Sequence, residues 1–149
     1  MTSGDPSGGV RPLPRAVLAW GLAGLIPFLG LPLLALSIPD LSGWSDQALG
    51  LYAAVILSFL GGARWGQAVG ARAPDPRIIA CSMAPSVAAW GLVLLPPDRS
   101  VLQLAGLAAA LVLHLAWDLR SPGLPDWYPR LRLILTAGAV AGLSAGALS

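Results

Sequence analysis

Residues 13–38 carry a single charge, Arg15, at the entrance to an otherwise uninterrupted apolar run. At about 1.5 Å of rise per residue, a helix over this run crosses a hydrocarbon core of about 30 Å with length to spare. A bilayer offers no water to exposed backbone groups, so a segment of this kind has to be helical. Four further stretches, at about 47–69, 78–95, 100–119 and 131–148, have the same character. Only 11% of the 149 residues are charged and 56% are apolar, with a mean hydropathy of +0.73. A soluble domain carries about 25% charged residues to cover its surface. The expected fold is therefore an all-α integral membrane bundle of five transmembrane helices, forming a single domain over residues 13–149. The Gly-, Pro- and Ser-rich residues 1–12 (MTSGDPSGGVRP) are expected to be a disordered tail.

Turn formers separate the spans. The segment 39–46 (PDLSGWSD) reads as a linker, 71–77 (ARAPDPR) as a polar loop, and 96–99 (PPDR) as a tight one. The shortness of that last loop makes spans three and four antiparallel neighbours. Pro27 and Pro32 lie inside the first span and Pro85 inside the third. A proline removes a helical N–H and crowds the carbonyl four residues back, so the first span should be kinked or partly broken. A cleaved signal peptide ending at the small residues 35–37 is the competing reading. Its apolar core would be far longer than the 7–15 residues of such a peptide.

The arginines set an expected orientation. Arg11 and Arg15 precede span one, Arg64, Arg72 and Arg77 follow the middle of span two, and Arg120, Arg130 and Arg132 lie between spans four and five. Only Arg99 falls at the opposite end. The excess of positive charge on cytoplasmic loops places the N-terminus inside and the C-terminus outside, in the periplasm of a bacterial cell with the protein in its inner membrane. Trp65, Trp117 and Trp127, with Tyr128, suit interface anchors on the inner side and Trp44 on the outer.

Without a hydrophobic drive between helices in lipid, small residues allow the close backbone approach that holds a bundle together. Ser58, Gly62 and Gly66 form one row at helical spacing, expected to pack inside the bundle. Gly138, Gly142 and Gly146 form another, open to internal packing or to a dimer contact. A charge at the membrane centre costs about 2.5–3.5 kcal/mol on insertion scales, so Arg64, His114, Asp118 and Arg132 each need a reason. His114 and Asp118 are four apart and share a helix face. All four residues fall in the same half of the bilayer, which makes an Arg64–Asp118 pair with Arg132 or Tyr128 beside it one reading. Snorkelling of Arg64 to the headgroups, with Asp118 facing water, is the other.

Known catalytic patterns are absent from the sequence. There is no HExxH, GxSxG, Walker A loop or CxxCH. One histidine and one cysteine do not build a usual zinc site, so no metal or cofactor is expected. Cys81, inside an apolar segment, is expected to be a packed thiol. All bases are Arg and all acids Asp, which reads as codon bias. The pI near 9.3 comes from arginines dispersed among spans, so no nucleic-acid partner is expected.

The string YAAVILSFLGGARWG (52–66), Pro85 and Trp90 in the third span, Asp118 closing the fourth, and WYPRLRLILT (127–136) together resemble the DUF3429 (transmembrane protein 69-like) family of multi-span membrane proteins. On that resemblance Ser58, Gly61, Gly62, Arg64, Trp65, Gly66, Trp127, Tyr128, Arg132 and Thr136 are signature positions. It implies a small protein of bacterial inner or mitochondrial membranes and no particular activity. The expected role is non-catalytic, as a structural, assembly or accessory subunit of a membrane complex. The alternative is a small transporter or a ligand- or lipid-binding protein with a cytoplasmic-side polar pocket. A membrane enzyme using Asp118 or His114 as a base is a third. Expected partners are the lipid bilayer, anionic lipid headgroups, and complex subunits or a second copy.

Overall fold

The computed structural model describes residues 13–122 and 124–148; the expected N-terminal tail lies outside them. Six α-helices and two short 3₁₀ turns make up the described chain: α1 (Arg15–Ala23), α2 (Ile26–Ser37), α3 (Ser42–Val69), α4 (Pro76–Val93), α5 (Ser100–Arg120) and α6 (Tyr128–Leu148). Helices α1 and α2 together form one span, so five stretches are long and apolar enough to cross a membrane. No strand occurs among the described residues. Short connections between long spans make successive spans run up and down.

The first span is broken, and the position of the break follows from Pro27. A helix running through Pro27 would drive its ring into the carbonyl of Ala23, four residues earlier. The chain accordingly ends α1 at Ala23, passes through Gly24 and Leu25, and restarts with Pro27 in the first turn of α2. The hydroxyl of Tyr52 on α3 donates to the Gly24 carbonyl at 2.9 Å and ties the break to the bundle. Pro32 lies within α2 without ending it.

The expected linker at 39–46 is shorter than its composition implies. Residues 39–41 form a 3₁₀ turn and Ser42–Asp46 are already the first turn of α3. Ser45 is buried there and Leu49 follows it one turn on, so tertiary packing overrides the turn propensity of Ser-Gly.

Helix α3 is the centre of the bundle, touching α2, α4, α5 and α6. Its buried face runs through Leu49, Ala53, Leu57, Leu60, Gly61 and Arg64. On α5 the buried positions are Leu104, Leu107, Leu111, His114 and Asp118, alternating three and four residues apart. These faces and α6 enclose a core of Phe28, Leu57, Leu107, Leu111 and Leu143. Helix α4 sits at the side and buries only Ser82 and Ala89. Cys81 is therefore not the packed thiol expected: it lies on the exposed face of α4.

Glycines set four of the close approaches. A Cβ on Gly61 would stand 2.6 Å from the Ser82 carbonyl oxygen and 3.3 Å from Pro85 Cβ, so α3 and α4 meet there. A Cβ on Gly138 would meet Leu25, and one on Gly146 would stand 2.6 Å from Leu49. Gly142 lies against the Phe28 carbonyl, which lacks a helical donor because Pro32 has no N–H. The Gly138–Gly142–Gly146 row thus packs inside the bundle against α2 and α3. The Ser58–Gly62–Gly66 row does not. Gly62 and Gly66 are exposed with open space where a Cβ would be, because the buried face of α3 runs instead through Leu57, Gly61 and Arg64.

Candidate functional site: a buried ion-pair cluster at one end of the bundle

Three helices bring four ionisable side chains inward at the same end of the bundle, one each from α3 and α6 and two from α5. Arg64 follows Leu57 and Leu60 along the inner face of α3. Asp118 is the last buried position on the α5 stripe, one turn after His114. Arg132 lies one turn into α6, on the side that continues through Thr136 and Ala139. Being on the core face, these residues are largely withdrawn from the surface. Asp118 is 2% exposed, His114 4%, Arg132 6% and Arg64 9%.

Each of the two Asp118 carboxylate oxygens receives one arginine. Arg64 Nε donates to Oδ1 at 2.7 Å and Arg132 Nε donates to Oδ2 at 2.7 Å. Both distances are those of charge-assisted bonds. The Tyr128 hydroxyl approaches Oδ2 at 3.4 Å. His114 Nδ1 stands 3.5 Å from Oδ2 and 3.5 Å from Arg132 Nη2, filling the space between the two. Arg64 Nη1 reaches Gln67 at 3.4 Å, and the guanidinium lies 5.3 Å from the centre of the Trp117 ring. That placement over an aromatic face offsets part of the cost of burying the cation. Trp117 also packs against the His114 ring, with centroids 5.6 Å apart.

Arg64, His114, Asp118, Arg132 and Tyr128 thus form one connected group, with Arg64 turned inward and not toward the headgroups. Trp117 is half-buried and belongs to this group as the surface beneath Arg64. Trp65 is exposed, and Trp127 is half-buried against the Tyr128 ring, 6.0 Å between centroids. Thr136 is 4% exposed and its Oγ1 meets no hydrogen-bond partner; neither do Arg64 Nη2 and His114 Nε2. Thr136 lies one helical turn from Arg132 on the same buried face of α6, a position the sequence marked only through the family resemblance.

The arrangement is electrostatically unbalanced. Two guanidiniums face one carboxylate, leaving one positive charge over among the buried arginines and aspartate. The described residues hold no group of three or more His, Cys, Asp or Glu side chains of the kind that binds a metal ion.

The profile described as "Protein of unknown function (DUF3429)" matches residues 13–148. The chain belongs to the DUF3429 family. Transmembrane protein 69 of Xenopus tropicalis is 39% identical over 145 residues, covering 90% of this chain and 54% of that protein. Transmembrane protein 69 of Mus musculus is 35% identical over 133 residues, covering 83% of this chain and 51% of its own length. The chain therefore spans about half the length of these relatives. No solved structure matches the DUF3429 chain. The family and the five apolar spans agree on a multi-span transmembrane protein.

Proposed function

We propose that this DUF3429 protein is a non-catalytic structural, assembly or accessory subunit of a membrane complex, in which the Arg64–Asp118–Arg132 cluster holds α3, α5 and α6 in fixed register. The observation that carries this reading is the pairing of both Asp118 oxygens at 2.7 Å. A carboxylate held in this way is a brace between helices. A base or a transport site needs an acid that exchanges partners, and the core beyond the cluster, through Leu57, Leu107, Leu111 and Leu143, is apolar. In this reading the cluster lies at the cytoplasmic end of the bundle in a bacterial inner membrane, with the N-terminus inside.

The test is extraction of the tagged protein from its native membrane in mild detergent, followed by native gel electrophoresis and mass spectrometry. The accessory-subunit reading expects a defined, stoichiometric assembly that survives purification. A solitary monomer that turns over or transports a small molecule after reconstitution overturns it.

A further inference from the structure

A crevice of about 170 Å³ opens beside the ion-pair cluster, between the broken first span, α3 and α6. Trp20, Phe28, Phe59 and Leu135 form much of its wall, and Arg132 and Thr136 supply its polar groups. Arg132 uses Nε on Asp118 and Nη2 on His114, while its Nη1 has no hydrogen-bond partner among the described residues. Thr136 lies one turn further along α6, about 6 Å deeper in the membrane on the same face. Its hydroxyl is buried and unpartnered. Trp20 is 80% and Phe59 68% exposed, so the mouth of the crevice opens sideways to the bilayer.

We infer that this crevice is a binding site for an anionic glycerophospholipid. The surplus positive charge of the Arg64–Asp118–Arg132 cluster sits at the polar end of the bundle and selects a phosphate. With both Asp118 oxygens occupied, the cluster offers no carboxylate to hold a choline or ethanolamine group, so the headgroup is one with net negative charge. Thr136 is placed to donate to an ester carbonyl, which in a glycerophospholipid lies one step deeper than the phosphate. The upper part of one acyl chain fills the apolar wall from Leu135 to Ala139, and the remainder passes out between Trp20 and Phe59. A free fatty acid has a carboxylate but no second acceptor for Thr136, and a neutral diacylglycerol has carbonyls but no charge for Arg132.

Two variants separate this site from the brace. Thr136→Val removes one hydroxyl at nearly constant volume, and Leu135→Trp fills the crevice from a half-buried position that makes no ion pair. Wild type and both variants are delipidated in neutral detergent, and thermal midpoint and native mass spectra are recorded with added phosphatidylglycerol, phosphatidylethanolamine or oleate. The expected result is that phosphatidylglycerol alone raises the wild-type midpoint and is retained as a one-to-one adduct. Thr136→Val should weaken that binding roughly fivefold, the loss of one neutral hydrogen bond, and Leu135→Trp should abolish it while the lipid-free midpoint stays near that of wild type. Equal stabilisation by phosphatidylethanolamine, equal stabilisation by oleate, or undiminished phosphatidylglycerol binding by both variants each overturns the proposal. If Leu135→Trp lowers the lipid-free midpoint, the Thr136→Val affinity decides the matter.

Discussion

Replacing Asp118 by Asn should destabilise the bundle more than replacing either arginine, and the loss should be partly reversed by removing Arg64 as well. Opposite charges about 4 Å apart interact by about 4 kcal/mol at an effective dielectric of about 20. Asp118 makes two such pairs, and the arginines, on opposite oxygens, repel each other by about 2 kcal/mol at about 7 Å. All three side chains are at least nine-tenths buried, so solvent screens little of this. Asp118→Asn deletes both attractions, keeps the repulsion, and leaves two guanidiniums with a neutral amide between them. Allowing for relief of the carboxylate's own desolvation, the expected cost is about 3–5 kcal/mol, the usual loss on breaking a buried pair. Arg64→Leu deletes one attraction but also the repulsion and one buried cation, and should cost only about 1–2 kcal/mol, part of it the lost contact with Trp117. The double variant Arg64→Leu/Asp118→Asn should then be more stable than Asp118→Asn alone. Equilibrium unfolding in mixed micelles, followed by circular dichroism, gives the four free energies of the cycle. An Asp118→Asn protein within 1 kcal/mol of wild type, or a double variant whose loss is the sum of the singles, refutes the brace.

Other substitutions probe the packing and the threading. Gly61→Ala places a Cβ 2.6 Å from the Ser82 carbonyl and must push α3 from α4, costing about 1–3 kcal/mol in the same unfolding assay. Gly62→Ala and Gly66→Ala meet open space and should be neutral or slightly stabilising through helix propensity, by up to about 1 kcal/mol. Tyr52→Phe frees the Gly24 carbonyl and should cost about 1 kcal/mol, with faster amide hydrogen exchange confined to residues around the α1–α2 break. In a Cys81→Ala background, single cysteines at Ser121 and Asp98 should react with an impermeant maleimide from opposite faces of sealed inverted vesicles. Ser121 is expected on the cytoplasmic face, and labelling of both from one face would refute the five-span threading.

What a sequence like this shows and conceals follows from its composition. The spans were legible because a charge every so often in an apolar chain marks where lipid ends, and the broken first span because Pro27 forbids a continuous helix at Ala23. The inner face of each helix was hidden. In a soluble helix the polar residues mark the outer face, but here α3 and α5 are apolar all round, and Leu57 inside the bundle looks no different from Phe59 outside it. Rows of small residues at helical spacing do not resolve the ambiguity, since the Ala- and Gly-rich chain supplies such rows on several faces, and the one through Gly62 and Gly66 proved to face outward. The resolving signal is the polar residues themselves. A buried charge must meet its partner, so each must lie on a face that another helix covers. Taking Arg64 as inward selects Gly61, Leu60 and Leu57 and rejects Gly62. Taking Asp118 as inward selects His114, Leu111, Leu107 and Leu104 at alternating three- and four-residue steps, and Arg132 likewise selects Thr136, Ala139 and Leu143. In a membrane bundle of this kind the few ionisable side chains mark the core, the reverse of their usual meaning, and the register of three helices can be read outward from a single carboxylate.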